Sequence, residues 1–289
     1  MNRKIIKQQA GLTLIELMVA MVIGLFLLLS ISSVYLSNLQ SSSKRDQYSL
    51  LEDNARLALD SMKNVIQHTG FNTGKDVPVL PSKFITADVN PDAACSTGSA
   101  LFTASTITQN GANDNPDSIG VVYFGNDPFG GAGGAVVNTD CSGVGQLADS
   151  CQLHDVANTS SDNSLSYIYN TFFLENDGKL QCVGSLDSGK QLIAEGIENM
   201  QITYGVNTDG LLDGGANKYV NAADVNANEW EGVVSVQIAV LVKSQKEVKQ
   251  IAEQKTYALL DKQITAPAGA GVKDKFQRAV FSTTVHLRN

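Results

Sequence analysis

Hydrophobic and polar positions change their period along this chain, and the changes divide it. Leu17 to Leu36 carries no charged residue. As a helix, a stretch of that length rises about 30 Å, enough for the hydrocarbon core of a bilayer. Its serines, Ser30, Ser32 and Ser33, are tolerable because a helical hydroxyl can bond its own backbone. Beyond Leu36 the pattern becomes amphipathic. Tyr48, Leu51, Ala55, Ala58, Leu59, Met62, Val65 and Ile66 recur at intervals of three or four. No proline occurs before Pro78, and Gly70 stands where a helix favours a C′ glycine. The spacing predicts one helix from about Leu12 to Thr69, roughly 85 Å long by its rise per residue.

Residues 71–118 are rich in Gly, Pro, Asn, Asp, Ser and Thr and read as an irregular connection. Period-two and continuous apolar runs follow. Asp117 to Phe124 is a strand candidate. Two β-rich runs flank Asn176-Asp177-Gly178, a hairpin signal. Gly196 to Val206, Trp230 to Ser244 and the C-terminal "AVFSTTVHLRN" are further strands, the last with Phe281, Thr283, Val285 and Leu287 on one face. A long helix followed by antiparallel strands is an α+β pattern, with the sheet expected on the amphipathic half of the helix. The glycine-rich stretch from Gly125 to Cys151 lacks the strand and helix context of a phosphate-binding loop.

Charge and cysteine usage locate the body. The formal net charge is −8, and the first eleven residues hold Arg3, Lys4 and Lys7 with no acid, which leaves −11 on the remainder. An acidic body matches nucleic acid poorly, because phosphate binding needs clustered Lys and Arg. The basic start should stay cytoplasmic, with the body on the far side. Cys95, Cys141, Cys151 and Cys182 all follow the apolar run, and none forms a C-x-x-C pair. They suggest two disulfides in an exported body, with three pairings open. Cys141 and Cys151 are near enough in sequence to close a small loop, worth roughly 3 kcal/mol in the chain-entropy model; Cys95 would then pair with Cys182.

One residue does not fit a plain anchor. Glu16 precedes the uncharged run directly, and insertion scales charge an intramembrane carboxylate about 2.5–3.5 kcal/mol, so such a group is by default functional. A secretory signal peptide would put small residues after the apolar run, whereas Gly11 lies before it. The basic leader, Gly11, Leu12, Thr13-Leu14-Ile15-Glu16-Leu17 and the apolar helix together resemble the class III signal of type IV pilins and pseudopilins. The resemblance implies cleavage after Gly11 by a prepilin peptidase and N-methylation of Leu12, where most members carry Phe. One chain alone is expected to leave Glu16 unsatisfied in lipid; in a filament its carboxylate meets the Leu12 amine of a neighbour.

The body narrows the resemblance. Residues 196–289, ending in "RAVFSTTVHLRN", are similar to PilW-type minor pilins and, distantly, to J-type pseudopilins of type II secretion. The implied fold is the type IV pilin fold: leader 1–11, membrane or filament-core helix 12–36, amphipathic continuation 37–70 and β-rich body 71–289. The implied function is a low-abundance subunit that primes pilus assembly at the inner membrane and sits near the pilus tip. Its implied partners are other minor pilins, the major pilin, the prepilin peptidase, the assembly machinery and a tip adhesin. A J-type pseudopilin, or an exported adhesive protein on a plain anchor, is the alternative.

Other chemistry is sparse. Asn207, Asp209, Asp213 and Asp224 are oxygen ligands of the kind calcium takes, but Leu211 stands where the loop needs a donor and no Glu closes it. His68, His154 and His286 are far apart, and no G-x-S-x-G or H-E-x-x-H signature occurs. Glu195 and Glu198 read as solvated, Trp230 as a core or sheet-edge anchor. No enzyme activity and no cofactor are expected.

Overall fold

A computed structural model describes residues 13–70, 83–85, 107–124, 140–141, 167–184, 190–209 and 215–287. Its first element is helix α1 (Leu14–Ile66). The helix ends in a turn through Gly70, whose φ of 75° is the left-handed conformation that a C′ position requires. The Gly70 amide then donates to Val122 O at 2.9 Å. The chain divides into two units, Met1–Gln47 and Tyr48–Asn289.

In the first unit the large apolar side chains of α1 are exposed, from Leu14 at 77% to Leu36 at 57%. This is a helix apolar all round, and none of the described residues buries it. Ser30 Oγ donates to Phe26 O at 3.0 Å, so this hydroxyl is satisfied within the helix as the sequence leads one to expect.

In the second unit α1 carries the predicted stripe. Leu51, Ala55, Ala58, Leu59, Met62 and Ile66 are buried in one core with residues of both sheets described next. Strands β1 (Ile119–Phe124), β2 (Tyr167–Leu174), β3 (Lys179–Gly184) and β4 (Gln191–Glu195) form an antiparallel sheet in that order. Strands β5 (Ile197–Val206), β6 (Lys218–Val220), β7 (Val233–Glu247) and β10 (Phe276–His286) form a second antiparallel sheet in the order β10-β7-β5-β6. Strands β8 (Lys255–Leu259) and β9 (Lys262–Ala266) make a separate hairpin. The fold is α+β, as expected, with two sheets and a hairpin in place of one sheet.

The second sheet is covered on both faces. Met200, Ile202, Tyr204 and Val206 of β5, with Val236, Ile238, Val240 and Val242 of β7, join the core that includes α1. On the other face Ala239 and Leu241 of β7 pack with Leu259, Ile264 and Ala266 of the β8–β9 hairpin. The loop before β1 covers the polar positions of β5: Asn199 Nδ2 donates to Asp114 O at 2.7 Å, and Gln201 Nε2 to Asn115 O at 3.1 Å. Double coverage explains why β7 reads as a near-continuous apolar run rather than a strict alternation. Trp230, in a short 3₁₀ turn before β7, is buried with ring centroids 5.3 Å from Phe84 and 5.0 Å from Tyr204, so it is a core anchor.

Candidate assembly segment

The start of α1 is built by four residues, Thr13-Leu14-Ile15-Glu16. Thr13 N–H donates to Glu16 Oε2 at 2.9 Å, and Thr13 Oγ1 donates to the same oxygen at 3.0 Å. Glu16 N–H points back at Thr13 Oγ1, 3.4 Å away. Threonine before the first turn with glutamate three residues later is a capping box, in which each side chain satisfies an amide the helix leaves open. The carboxylate also lies in the first turn, where the helix dipole favours negative charge.

This corrects the expectation that one chain leaves Glu16 without a partner. Its own Thr13 holds Oε2. Among the described residues no hydrogen bond reaches Oε1, so the carboxylate is oriented by its own chain and keeps an acceptor oxygen for another molecule. The signal was present in the sequence as T-x-x-E ahead of an apolar run. Gly11 and Leu12 lie outside the described residues. Helix α1 is long and apolar enough to cross a membrane.

Two comparisons bear on the segment and the body. Residues 6–32 match the prokaryotic N-terminal methylation motif. Residues 155–289 match the family described as type IV pilus-assembly protein W. The chain is similar to PilW-like type IV minor pilins over these two segments. Among solved structures the chain matches a type IV-like pilin from Thermus thermophilus, with 11% identity over 82% of this chain and 95% of that one and a TM-score of 0.40. No curated protein matches the chain. The chain is thus a membrane-anchored pilus component whose partners are other pilus components.

The remaining candidates fall in the body. Cys141 is bonded to Cys182 on β3, 41 positions apart with Cα atoms separated by 6.3 Å. Of the three pairings left open this is not the one that joins Cys141 to Cys151 and Cys95 to Cys182; Cys95 and Cys151 lie outside the described residues. Sequence proximity misled because β3 is carried back beside Cys141 by its pairing with β2, where Asn170 Oδ1 accepts from the Cys141 amide at 2.6 Å. Of the calcium candidates, Asn207 and Asp209 follow β5 and Asp213 lies outside the described residues. Asp224 is held locally by Asn221, whose Nδ2 donates to Asp224 Oδ2 at 2.8 Å. The described residues contain no group of three or more His, Cys, Asp or Glu able to hold a metal ion. His68 Nδ1 lies 2.7 Å from Asn64 O, His286 is exposed on β10, and His154 lies outside the described residues.

Sequence reasoning missed two buried charge sites. Arg278 on β10 is clamped by Glu198, with Nε to Oε2 at 2.5 Å and Nη2 to Oε1 at 2.9 Å, and by Asp274 through two contacts of 2.6 Å. Glu198 therefore is not solvated, and Lys243 Nζ approaches it to 3.4 Å. Burial works against the Arg278 charge, but Asp274 and Glu198 outweigh it and hold the guanidinium above its usual value. Asp117 is the second site. Its carboxylate accepts from the amides of Gly111 and Ile202, each at 2.8 Å, and Lys262 Nζ lies 3.7 Å away. Burial pushes Asp117 up to about 6, against those amides and Lys262, which pull it down. Nothing short in sequence announces either cluster, because partners such as Glu198 and Arg278 are 80 positions apart.

Proposed function

We propose that the chain is cut after Gly11, methylated at Leu12, and primes type IV pilus assembly from the inner membrane, remaining at or near the pilus tip. Other minor pilins and the major pilin are its neighbours in the filament. The observation that carries this reading is the Thr13–Glu16 clasp. It leaves one carboxylate oxygen for the positive Leu12 terminus of an adjacent subunit. In a low-dielectric helix core that attraction is strong and fixes axial register. The apolar residues from Leu17 to Leu36 then exchange lipid for neighbouring helices.

Two further features support the topology. Arg3, Lys4 and Lys7 favour a cytoplasmic start. The Cys141–Cys182 bond fits an oxidising compartment and so supports a body in the periplasm and afterwards on the extracellular pilus. The assembly machinery and a tip adhesin are the proposed contacts at the two ends of this route.

A Glu16→Ala chain expressed in a strain lacking the native copy tests the reading. The variant is expected in the membrane, cleaved and at normal level, while surface filaments fall sharply. Normal piliation in that strain would contradict the assembly role.

A further inference from the structure

The charge of the body is not evenly spread. From Lys243 to Arg278 the chain holds eight Lys and Arg against four Asp and Glu, in a protein of net −8. Between β7, the β8–β9 hairpin and β10 this segment forms two loops, 248–254 and 267–275, that are tied by their backbones and hold Lys249, Lys273 and Lys275 against Glu253 and Asp274. The amides of Val248 and Lys249 donate to Lys275 O at 3.1 and 2.9 Å, and Glu253 N–H donates to Asp274 O at 2.9 Å. Gln254 Nε2 adds bonds to Pro267 O at 2.9 Å and Gly269 O at 2.6 Å. The paired loops form a ledge whose shape is held by main-chain bonds rather than by a hydrophobic core.

The ledge carries two exposed aliphatic side chains, Ile251 at 79% and Val272 at 48%. Exposed Lys246, Lys255, Lys273 and Lys275 each lie within two residues of one of the tying bonds. Two of the local acids are already neutralised. Glu253 pairs with Lys249 at 2.6 Å, and Asp274 with Arg278 at 2.6 Å, leaving Glu247 as the ledge's other exposed acid. Aliphatic tips ringed by lysines are the composition of a surface that enters an anionic interface, with the tips among acyl chains and the ammonium groups on phosphates.

We propose that this ledge rests on an anionic phospholipid surface while the subunit waits in the membrane before assembly. The inference uses the membrane-spanning reading of Leu17–Leu36 only as a tether, which raises the effective concentration of the ledge at the bilayer. Lipid is favoured over nucleic acid by the aliphatic tips, for which a duplex offers no apolar counterpart. The rings at this pole are not open for base stacking: Lys255 covers Tyr257 at 5.4 Å and Lys243 covers Phe276 at 5.1 Å. It is favoured over a protein partner because lysine is depleted at the centres of protein interfaces.

The test is amide hydrogen exchange of the full-length chain in nanodiscs of phosphatidylcholine alone or with phosphatidylglycerol. Loops 248–254 and 267–275 are expected to exchange several-fold more slowly with phosphatidylglycerol, and high salt or the Lys273→Glu/Lys275→Glu double variant is expected to remove the difference. Equal exchange in the two lipids, or slowing only when duplex DNA or an acidic protein is added, overturns the inference. A chain that does not co-elute with nanodiscs overturns the tether and the inference together; co-elution with unchanged loops overturns the inference alone.

Discussion

Thr13 and Glu16 clasp each other at the first turn of α1, the hydroxyl and amide of one on a single oxygen of the other. In the proposed assembly contact, the clasp makes Thr13 a positioning residue. Thr13→Val removes the hydroxyl and keeps the shape, so incorporation into filaments should fall, though less than in Glu16→Ala, while Thr13→Ser should restore it. Filament counts together with membrane-fraction levels separate this from simple loss of protein. Thr13→Val with full incorporation would show that Glu16 works without its clasp.

The Cys141–Cys182 bond closes a long stretch of chain, with a sequence separation of 41. In the chain-entropy model that is worth about 4 kcal/mol. Cys141→Ser and Cys182→Ser should lower the steady-state level to a similar extent, because either change opens the same link. Non-reducing peptide mapping should recover a fragment joining Cys141 to Cys182. A fragment joining Cys141 to Cys151 would contradict the geometry.

Arg278 lies between two carboxylates on a side chain only 2% exposed. Removing it leaves the partly buried Asp274 without its paired cation and Glu198 with Lys243 alone, and breaking a buried pair typically costs about 3–5 kcal/mol. Arg278→Leu should therefore unfold at markedly lower denaturant. Adding Glu198→Gln and Asp274→Asn should recover part of the loss, since no carboxylate is then left beside an absent guanidinium, and Lys243 at 35% exposure can turn to water. A triple variant as unstable as the single one would mean that Arg278 acts through packing.

Asp117 and Asp274 should respond to pH with opposite signs. Asp117 sits at about 6 in the folded chain, above its ordinary 3.8. Its contribution is fully present below about pH 4 and is lost as pH rises through about 6, up to about 3 kcal/mol in all. Asp274 is held low by Arg278, so its contribution is present above the ordinary carboxylate range and lost in acid. Unfolding free energies from pH 4 to 7, native chain minus Asp117→Asn, should fall with rising pH. A difference independent of pH would remove the charge from the account of this loop.

The sequence made the periodic parts legible. The expected helix Leu12–Thr69 is observed as Leu14–Ile66, and its buried stripe runs from Leu51 to Ile66 through the residues the spacing picked out, whereas Tyr48, also picked out, is 47% exposed. The turn at Asn176-Asp177-Gly178 lies between β2 and β3, with Gly178 at a φ of 81° that suits glycine. Val285 and Leu287 of the C-terminal segment face the core as alternation requires. Strands β4, β6, β8 and β9 were not read. They have three to five residues each, and their polar members alternate too briefly for a period to register. The clasp at Glu16 is legible as a local motif, a threonine followed three residues later by a glutamate ahead of an apolar run. Glu198, Asp117 and the Cys141–Cys182 bond were not legible, since tertiary pairing across scores of residues creates them.

The N-terminal mass of this chain in sheared, purified filaments tests the central claim most directly. The account predicts that the chain is present there and begins with methylated Leu12. Recovery of a chain that still begins at Met1, confined to the membrane and missing from filaments of a piliated strain, would contradict it.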